Sequence, residues 1–505
     1  MSYTCVWCRS EKEDIDVEST DKVVIKHAEK TIDIGSGQAV YIGSLGQAEK
    51  EVKSSWMVYT GSGLVWTMDW SPHDEEDEAS FLAIGCHAPG DEAHDLHTTY
   101  SGTHAIQIWK FSDACIDPEK NDTNMAPTKV MNLVHDGGPT WALCWCPSRG
   151  AKTRERIGLL AAVLGDGSIR IWSIPRNNGE PVSCRVEPVA FLGKDHVDGS
   201  IPCTLDWLPH APHDLLLVGY RDGCVSIIQM MDCMEENVRV IQYFPAEVLA
   251  LTSVKWFPKQ RDACSVNGLE RHVFVTSGQE GVINIWDSRL EYSPRVTVRS
   301  NTAYTIQDMC WTTAPLGITM AMEDGTIRGY LMDAAAVKNQ LPGGRPTLLI
   351  AYRGKLPGAM CTVDASVPST FSGRACQTIA YAGEDGIVGI QGNPKYPYVS
   401  RKRKGLDIPL AGLWAEGDGQ FKLLSSEELM LWEKQGGLFH GPAEDRKKAL
   451  HKTHGKLTDI SQAIYSLKWS HRPETCDEKT HGQWLAYGNV QGIVHCLWIP
   501  SYHST

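Results

Sequence analysis

The side chains that could hold a metal ion are concentrated near the start of the chain. Cys5 and Cys8 have the two-residue spacing of a zinc pair, but zinc needs four ligands and no second C-x-x-C pair follows. A second group of one cysteine and three histidines matches the spacing of no standard zinc finger: Cys86, His87, His94 and His97. We therefore expect no metal and no cofactor, with this second group as the weak candidate.

Motifs of nucleophilic, phosphate-binding and metalloprotease chemistry are absent from the sequence, which contains no G-x-S-x-G, no G-x-x-x-x-G-K and no H-E-x-x-H. Asp69, Asp206 and Asp364 recur near the ends of equivalent apolar segments, where a carboxylate could act as an acid or a base. A repeated Asp more simply bonds the backbone amides of neighbouring turns. We expect a protein that is not an enzyme and has no small-molecule substrate.

The segments that carry these residues repeat one pattern, which is clearest in residues 138–174. Two apolar runs, Leu159–Leu164 and Ile169–Trp172, flank Asp166-Gly167. This dipeptide favours a tight hairpin turn with positive φ at both residues, and short runs rich in Ile, Leu, Val and Trp predict buried strands. Six other stretches repeat the pattern: 65–111, 203–228, 252–287, 305–330, 360–390 and 463–499.

Seven such units, with fourth strands between them, predict an all-β fold, a seven-bladed β-propeller. The turns GDG, RDG, QEG, EDG, EDG and VQG stand before third strands such as IRIW, INIWD and VHCLW, and they resemble the WD40 repeat family. Only Trp286-Asp287 gives the literal WD pair, and the Gly-His dipeptide that usually opens a repeat is missing. The resemblance therefore implies divergent blades, in which the usual polar network is in doubt.

Domain boundaries follow from the repeats. Residues 1–55 are predicted to form an acidic, weakly ordered N-terminal arm, and residues 56–505 the propeller. The seventh unit supplies only three strands, so residues 56–61 are predicted to close the last blade. An insertion is predicted between the sixth and seventh blades, over residues 394–460.

The predicted insertion is the strongest interaction candidate in the sequence. It carries 12 Lys and Arg against 9 Asp and Glu, on a chain whose net charge is -13. Ser425 and Glu428 have the spacing of a capping box, which makes the insertion partly helical in this prediction. The candidate partner-binding residues are Arg401, Lys402, Arg403, Lys404, Leu429, Trp432, Arg446, Lys447 and Lys448. The alternative is a solvated loop packed over one face of the propeller.

Composition excludes several other classes of protein. No apolar run approaches the roughly 18 residues that span a bilayer, so we expect a soluble, intracellular chain without a membrane partner. Most of the 16 cysteines lie in strand-like runs and are expected to be free thiols. A net charge of -13 argues against a chain that coats nucleic acid by itself, because phosphate neutralisation needs clustered Lys and Arg.

A narrower resemblance lies in the first two repeats. The phrases GLVWTMDWSP, YSGTHAIQIW, GGPTWALCWCP and LLAAVLGDGSIRIWSIP are similar to the WD40 subunit of transcription factor IIIC, over roughly residues 60–225. This resemblance implies a nuclear, non-catalytic scaffold that contacts the other subunits, with DNA bound indirectly through the complex. It also implies a role in RNA polymerase III transcription of transfer RNA and 5S RNA genes.

A function of another class is compatible with the same repeats. A free-standing WD40 adaptor could read a modified peptide, for example in chromatin, with an aromatic cage at its central opening. The fold by itself does not choose between the two functions.

Overall fold

The computed structural model describes most of the chain between residues 22 and 500. The described residues are 22–27, 30–43, 52, 54–73, 79–87, 94–95, 97–116, 126–148, 155–177, 181–230, 238–259, 269–290, 293–299, 304–313, 316–331, 347–353, 358–371, 374–391, 407–417, 419–434, 462–471 and 482–500. Within these ranges, no helix is long and apolar enough to cross a membrane.

Strands make up nearly all of the described secondary structure. Four of them precede the first repeat: β1 (Lys22–His27), β2 (Lys30–Gly35), β3 (Gln38–Tyr41) and β4 (Ser54–Tyr59). The first and second repeats and the segment between them contain β5 (Val65–Trp70), β6 (Ala79–Cys86), β7 (His104–Ser112), β8 (Thr128–His135), β9 (Thr140–Trp145), β10 (Arg156–Leu164), β11 (Ile169–Pro175), β12 (Val182–Cys184) and β13 (Ala190–Leu192).

The third, fourth and fifth repeats each contain four strands. These are β14 (Pro202–Trp207), β15 (Leu215–Tyr220), β16 (Cys224–Met230), β17 (Val238–Pro245), β18 (Leu251–Trp256), β19 (Val273–Gly278), β20 (Val282–Asp287), β21 (Val296–Arg299), β22 (Ile306–Thr313), β23 (Leu316–Met322), β24 (Thr326–Leu331) and β25 (Thr347–Arg353).

The last part of the chain contains ten strands and the only α-helix among the described residues. These elements are β26 (Met360–Ala365), β27 (Ser369–Phe371), β28 (Arg374–Cys376), β29 (Ile379–Gly383), β30 (Ile387–Gln391), β31 (Asp407–Gly417), β32 (Gln420–Ser425), α1 (Ser426–Lys434), β33 (Ile464–Trp469), β34 (Gly482–Asn489) and β35 (Ile493–Pro500).

The strands form a propeller of antiparallel sheets. Their orders are β12-β8-β7-β6-β5, β13-β11-β10-β9, β14-β15-β16-β17, β18-β19-β20-β21, β22-β23-β24-β25, β2-β1-β32-β31-β30-β29-β26 and β3-β4-β35-β34-β33, which we call the first to seventh sheets; β27 and β28 form a separate pair. The first repeat strand of each sheet contacts those of the two neighbouring sheets, and β33 contacts β5. The predicted all-β propeller is confirmed.

The core lies between the sheets and is rich in tryptophan. Trp70, Trp109, Trp172, Trp256, Trp484 and Trp498 are among the largest fully buried side chains. A representative contact is that of Trp484 with Trp498, whose ring centroids are 5.2 Å apart in an edge-to-face arrangement. The tryptophan content therefore reflects packing, since one indole fills more of the space between two sheets than any aliphatic side chain.

The predicted insertion at residues 394–460 is corrected by the structure over residues 407–417 and 419–434, and the rest of that range lies outside the described residues. β31 pairs antiparallel with β30, with Ile387 opposite Gly412, and β32 pairs with β31, so both strands belong to the sixth sheet. Leu410, Ala411 and Leu413 are buried there because they complete the apolar surface between the sheets. The sequence analysis did not predict strand β31 because the basic run at residues 401–404 directly precedes it. Helix α1, nine residues long, follows β32 directly.

The N-terminal segment also differs from the weakly ordered arm predicted for residues 1–55. β1 pairs in parallel with β32, with Ile25 opposite Phe421, and β2 extends the same sheet. Val23 and Ile25 are buried, which explains why this acidic segment adopts regular structure. Residues 1–21 lie outside the described residues. β4, which contains most of the segment predicted to close the last blade, pairs with β35, with Val58 opposite Val494.

The hairpin turns have a different geometry from the predicted one. Gly167 has φ of +83°, whereas Asp166 is not among the residues with positive φ. Asp166 instead accepts a hydrogen bond from the backbone N–H of Ser168 at 2.8 Å. Asp222 and Asp385 make the same bond two residues on, to Cys224 and Ile387. In these three turns the aspartate therefore holds its own backbone, and only the glycine supplies the left-handed conformation.

Two glycines with similar backbone conformations allow a matched test of how closely the turn at Gly223 packs against the loop of Glu247. Gly223 and Gly199 have φ of +85° and +73°, but a Cβ at Gly223 would lie 2.2 Å from the carbonyl oxygen of Glu247, whereas nothing lies within 4 Å of one at Gly199. Gly199→Ala should cost about 1–2 kcal/mol of unfolding free energy, the price of the left-handed conformation alone. Gly223→Ala should cost clearly more in denaturant titrations. Equal costs would contradict the close approach of the two loops.

Candidate functional site

The inner strands place one equivalent residue per sheet around the propeller axis. We call this set the axial ring. It consists of the residues that precede the last strand tryptophan or its equivalent: Asp69, Cys144, Asp206, Lys255, Cys310, Asp364 and Lys468. Five of the seven are aspartate or lysine, so charged side chains are concentrated where the sheets converge.

The aspartates of the axial ring join neighbouring sheets. The carboxylate of Asp69 accepts the backbone N–H of Trp145 at 2.7 Å. Asp206 and Asp364 make the same bond to Trp256 and Trp469, at 2.7 and 2.8 Å. In each case the donor belongs to the inner strand of the next sheet. The predicted role of these aspartates as partners of backbone amides is borne out, with strands as the donors where turns were expected.

A fourth aspartate, Asp308, performs a related task from a different position in β22. Its carboxylate accepts hydrogen bonds from Ser253 at 3.2 Å and from Thr362 at 3.1 Å, which lie in the sheets on either side. The backbone N–H of Val363 donates to the same carboxylate at 3.3 Å. Asp308 thus links three consecutive sheets. The sequence analysis missed it because it lies outside the repeated position.

Lys468 supplies a positive charge at the centre of these carboxylates. Burial alone would lower the pKa of Lys468, but the surrounding carboxylates raise it above its usual value. The contributing side chains are Asp364, Asp308, Asp69 and Asp206. Burial raises the pKa of Asp69, against the opposing effects of His471 and Lys468. The axial ring is therefore an ionic cluster whose members depend on one another.

One mouth of the propeller is lined by a second equivalent set. In each sheet the pairing between the first and second strands shifts by one residue, and the bulged residues are Trp66, Trp141, Cys203, Thr252, Gln307, Cys361 and Tyr465. A bulge turns an additional side chain toward the same surface. Three of the seven bulged residues, Tyr465, Trp66 and Trp141, are aromatic, and they come from the consecutive seventh, first and second sheets. We call this part of the mouth its aromatic side.

Side chains from the first repeat cover this aromatic side. The rings of Trp66 and His87 stack with centroids 5.1 Å apart, and Tyr465 lies 5.2 Å from Trp66. His94 contacts Trp141 edge-on at 5.1 Å. The guanidinium of Arg221 lies 4.5 Å from the centre of the Trp141 ring. The aromatic surfaces are therefore engaged by the chain itself.

Arg221 also holds the covering segment in place. Its Nη1 donates to the carbonyl oxygen of Asp95 at 2.8 Å, and the backbone N–H of Tyr100 donates to the carbonyl of Gly165, also at 2.8 Å. The segment from His94 to Tyr100 therefore crosses from the first sheet over the second to the third. The sequence did not indicate Arg221 as a functional residue. Its position directly before the repeated turn Asp222-Gly223 was the only feature that could have drawn attention to it.

The four weak metal candidates are placed in different environments. Cys86 is buried, donates to the hydroxyl of Thr60 at 3.7 Å, and has its pKa raised to about 12 by burial. Burial, aided by His94, lowers the pKa of His87 to about 3. His97 is exposed. Among the described residues, no three His, Cys, Asp or Glu side chains form a group that could hold a metal ion.

The partner-binding candidates are only partly within the described residues. Arg401, Lys402, Arg403, Lys404, Arg446, Lys447 and Lys448 lie outside them, as does the side chain of Trp432. The capping box forms: the N–H of Ser425 donates to the Glu428 carboxylate at 2.8 Å, and the N–H of Glu428 donates to the Ser425 hydroxyl at 3.3 Å. Leu429 is only 2% exposed and packs with Ile387 and Leu424, so it faces its own sheet.

The fourth sheet contains a variant of the polar network expected of WD40 repeats. Trp286 Nε1 donates to the hydroxyl of Thr276 at 3.0 Å, and that hydroxyl donates to Glu247 at 3.3 Å. Burial, together with the nearby Glu280, raises the pKa of Glu247 to about 8, against the hydrogen bond from Thr276, which lowers it. A network of this kind therefore survives without the Gly-His dipeptide, but it contains a carboxyl group that titrates near neutral pH.

Comparisons with known proteins identify relatives of the chain. It is 26% identical over 302 residues to general transcription factor 3C polypeptide 2 of Homo sapiens, which covers 53% of the chain and 31% of that protein. It is 29% identical over 200 residues to transcription factor tau subunit sfc6 of Schizosaccharomyces pombe, covering 39% of the chain and 31% of that protein. The resemblance to the WD40 subunit of transcription factor IIIC is confirmed.

A relative with a different named role is also found. The chain is 27% identical over 172 residues to protein transport protein SEC13-2 of Candida glabrata, covering 33% of the chain and 52% of that protein. No family model matches the chain. The chain spans about a third of the length of the two transcription factor subunits, and about half of the transport protein.

The ionic cluster predicts a large effect for one lysine. Lys468→Met leaves the carboxylates of the axial ring with Lys255 as the only remaining lysine of that ring. It should lower the free energy of unfolding by about 2 kcal/mol, less than the roughly 3–5 kcal/mol of a fully buried pair because Lys468 is partly exposed. Lys422→Met, at an exposed position of β32, is the control and should change it by less than about 0.5 kcal/mol. Equal effects in urea titrations would argue against the cluster.

Glu247 predicts a dependence of stability on pH. Its pKa is raised from 4.5 to about 8, so the folded state holds a proton that the unfolded state has lost. Stability from this group is present at low pH and is lost as the pH rises from about 4.5 through about 8. Glu247→Gln should therefore raise the melting temperature at about pH 8.5, and the gain should shrink toward about pH 5.

The matched control for Glu247 is Asp33→Asn, at an exposed position of β2. Its melting temperature should follow that of the parent protein at every pH. A Glu247→Gln protein whose difference from the parent is constant across this range would refute the raised pKa.

Proposed function

We propose that the chain is a non-catalytic scaffold subunit of a transcription factor IIIC-like complex. The observation that carries this proposal is the similarity to general transcription factor 3C polypeptide 2, which extends over 302 residues, well beyond the first two repeats. Similarity to transcription factor tau subunit sfc6, from a distant organism, supports the same assignment. The named role of both relatives is transcription.

The finer parts of the proposal concern RNA polymerase III. We propose that the chain acts in the nucleus, supports synthesis of transfer RNA and 5S RNA, and contacts DNA only through other subunits. Its net charge of -13 supports an indirect contact, because direct phosphate binding depends on clustered basic side chains. In this proposal the seven sheets are seven blades of one closed ring, which is supported by the contacts between consecutive inner strands.

The similarity to a transport protein is consistent with a scaffold. A repeat fold shared between proteins of different named roles is expected when the fold provides surfaces and the partners determine the process. That match covers 172 residues, whereas the match to the human transcription factor subunit covers 302. Because the longer match is to transcription factors, we favour their process over transport.

The modified-peptide reader is not favoured by the mouth of the propeller. An aromatic cage needs ring faces that are open to a cationic ligand. Here Trp66 stacks on His87, while Trp141 contacts His94 and lies against Arg221 of the same chain. The aromatic residues are therefore used for internal packing, and recovery of the chain alone in the test below is the outcome that would favour the reader.

Purification of the tagged full chain from nuclease-treated nuclear extract tests the proposal. A scaffold subunit should co-purify with large DNA-binding subunits in a complex that survives removal of DNA, since its contacts are with protein. Rapid depletion should then reduce newly made transfer RNA, while messenger RNA made in the same interval serves as the control. Unchanged transfer RNA synthesis, with the chain recovered alone, would refute the proposal.

A further inference from the structure

Two adjacent loops carry large apolar side chains into solvent at the mouth of the propeller. Val248 is 83% exposed and Leu249 is 48% exposed, in the loop that leads into β18. Tyr304 is 41% exposed, in the loop that leads into β22. Scattered exposed apolar residues are common on proteins, but a group of them on neighbouring loops is typical of an interaction site.

The loop of Val248 and Leu249 is held rigidly. The backbone N–H groups of Ala246 and Glu247 both donate to the carbonyl of Gly223 at 3.0 Å. Those of Val248 and Leu249 donate to the carboxylate of Glu280, at 2.7 and 3.2 Å. Four consecutive amides are thus bonded to two neighbouring turns. The side chains of Val248 and Leu249 are exposed because these hydrogen bonds fix the loop in a conformation that points them outward.

Leu249 and Tyr304 occupy equivalent positions in neighbouring sheets. Each lies three residues before the bulged residue of its inner strand, Thr252 or Gln307. The hydroxyl of Thr252 donates to the carbonyl of Ile306 at 2.5 Å, which brings the starts of the two strands together. The same position in the other five sheets carries small or polar residues: Gly63, Gly138, Ser200, Gly358 and Gln462. The apolar pair is therefore particular to the fourth and fifth sheets.

Carboxylates surround this apolar group. The turns of the third, fourth and fifth sheets on the same face carry Asp222, Glu280 and Glu323, of which Asp222 and Glu323 are exposed. The arginines of these turns do not offset them at the surface, because Arg221 is buried and Arg328 is paired with Asp324 at 2.5 Å. Arg299 is exposed on the same face, opposite Val282, so the surface is apolar at its centre and mainly acidic at its rim.

We propose that Val248, Leu249 and Tyr304 form a docking site for a basic segment of another protein that carries a large apolar side chain. The apolar group would bury that side chain, and the acidic rim would pair with flanking Lys or Arg residues. A nucleic acid is not the occupant, since phosphate is repelled by these carboxylates. The inference rests on the proposed scaffold function and assigns one of its surfaces.

Selection of short peptides displayed on phage, with the immobilised full chain as the target, tests this docking site. The enriched peptides should combine Lys or Arg with Leu, Phe, Tyr or Trp, and synthetic copies should bind more weakly as salt is raised. The double substitution Val248→Ser with Leu249→Ser should weaken their binding about tenfold or more, because it removes the apolar surface that buries the large side chain and leaves the acidic rim unchanged.

The control is Leu290→Ser, which makes the same change at an exposed leucine beyond the opposite end of β20. It should leave the affinity of the peptides unchanged, and melting temperatures should show that all three proteins are folded. The proposal is overturned if the enriched peptides are acidic or uncharged, or if they bind the doubly substituted chain as well as the parent. It is also overturned if the parent chain dimerises through this site, since the occupant would then be a second copy.

The outcome can be separated from that of the proposed function. If no peptide is enriched while the DNA-binding subunits still co-purify, the docking site is wrong and the scaffold function stands. If the peptides bind as expected but transfer RNA synthesis is unaffected by depletion, the docking site stands and the assignment to RNA polymerase III transcription is wrong.

Discussion

Adjacent sheets of a propeller share no backbone ladder, so side chains must hold neighbouring inner strands together and fix their relative height. In this protein a carboxylate on one inner strand accepts a backbone N–H of the next, as Asp364 does from Trp469 at 2.8 Å. The bond is charge-assisted and partly shielded from water, and both conditions strengthen it. Its acceptor is also part of an ionic cluster with Lys468, so the register of the sheets and the charge balance at the axis depend on each other.

This arrangement limits where the protein can bind a partner. The axis is occupied by the ionic cluster, and the aromatic side of one mouth is covered by His87, His94 and Arg221. The loops on the other side of that mouth remain available, and there Val248 and Leu249 are held outward. A propeller built in this way is suited to contacts with other proteins, because its centre stabilises the ring and its loops vary freely.

Much of the fold was predictable from the sequence, whereas little of the candidate site was. The repeated strands were found because a strand that is buried on both faces needs an apolar run. The turns were found because a tight turn needs a glycine with positive φ, as at Gly167. The strand Asp407–Gly417 was missed because a basic run precedes it, so the segment was assigned to an insertion outside the sheets. Asp69, Asp206 and Asp364 were recognised as a repeated position, whereas Asp308 and Arg221 lie within repeats at positions where their residue type does not recur.

The sequence by itself determined that the chain forms a ring of antiparallel sheets, because local periodicity and turn chemistry are encoded within each repeat. It also carried the resemblance to a transcription factor subunit. Only the tertiary structure decided which side chains meet. His87 and Trp66 stack beside two paired strands, Arg221 bonds Asp95 from two sheets away, and Leu249 and Tyr304 lie on adjacent loops although 55 positions separate them in the chain. Such contacts depend on how strands and sheets pack together, which brings loops that are distant in the chain to one mouth and which no local pattern specifies.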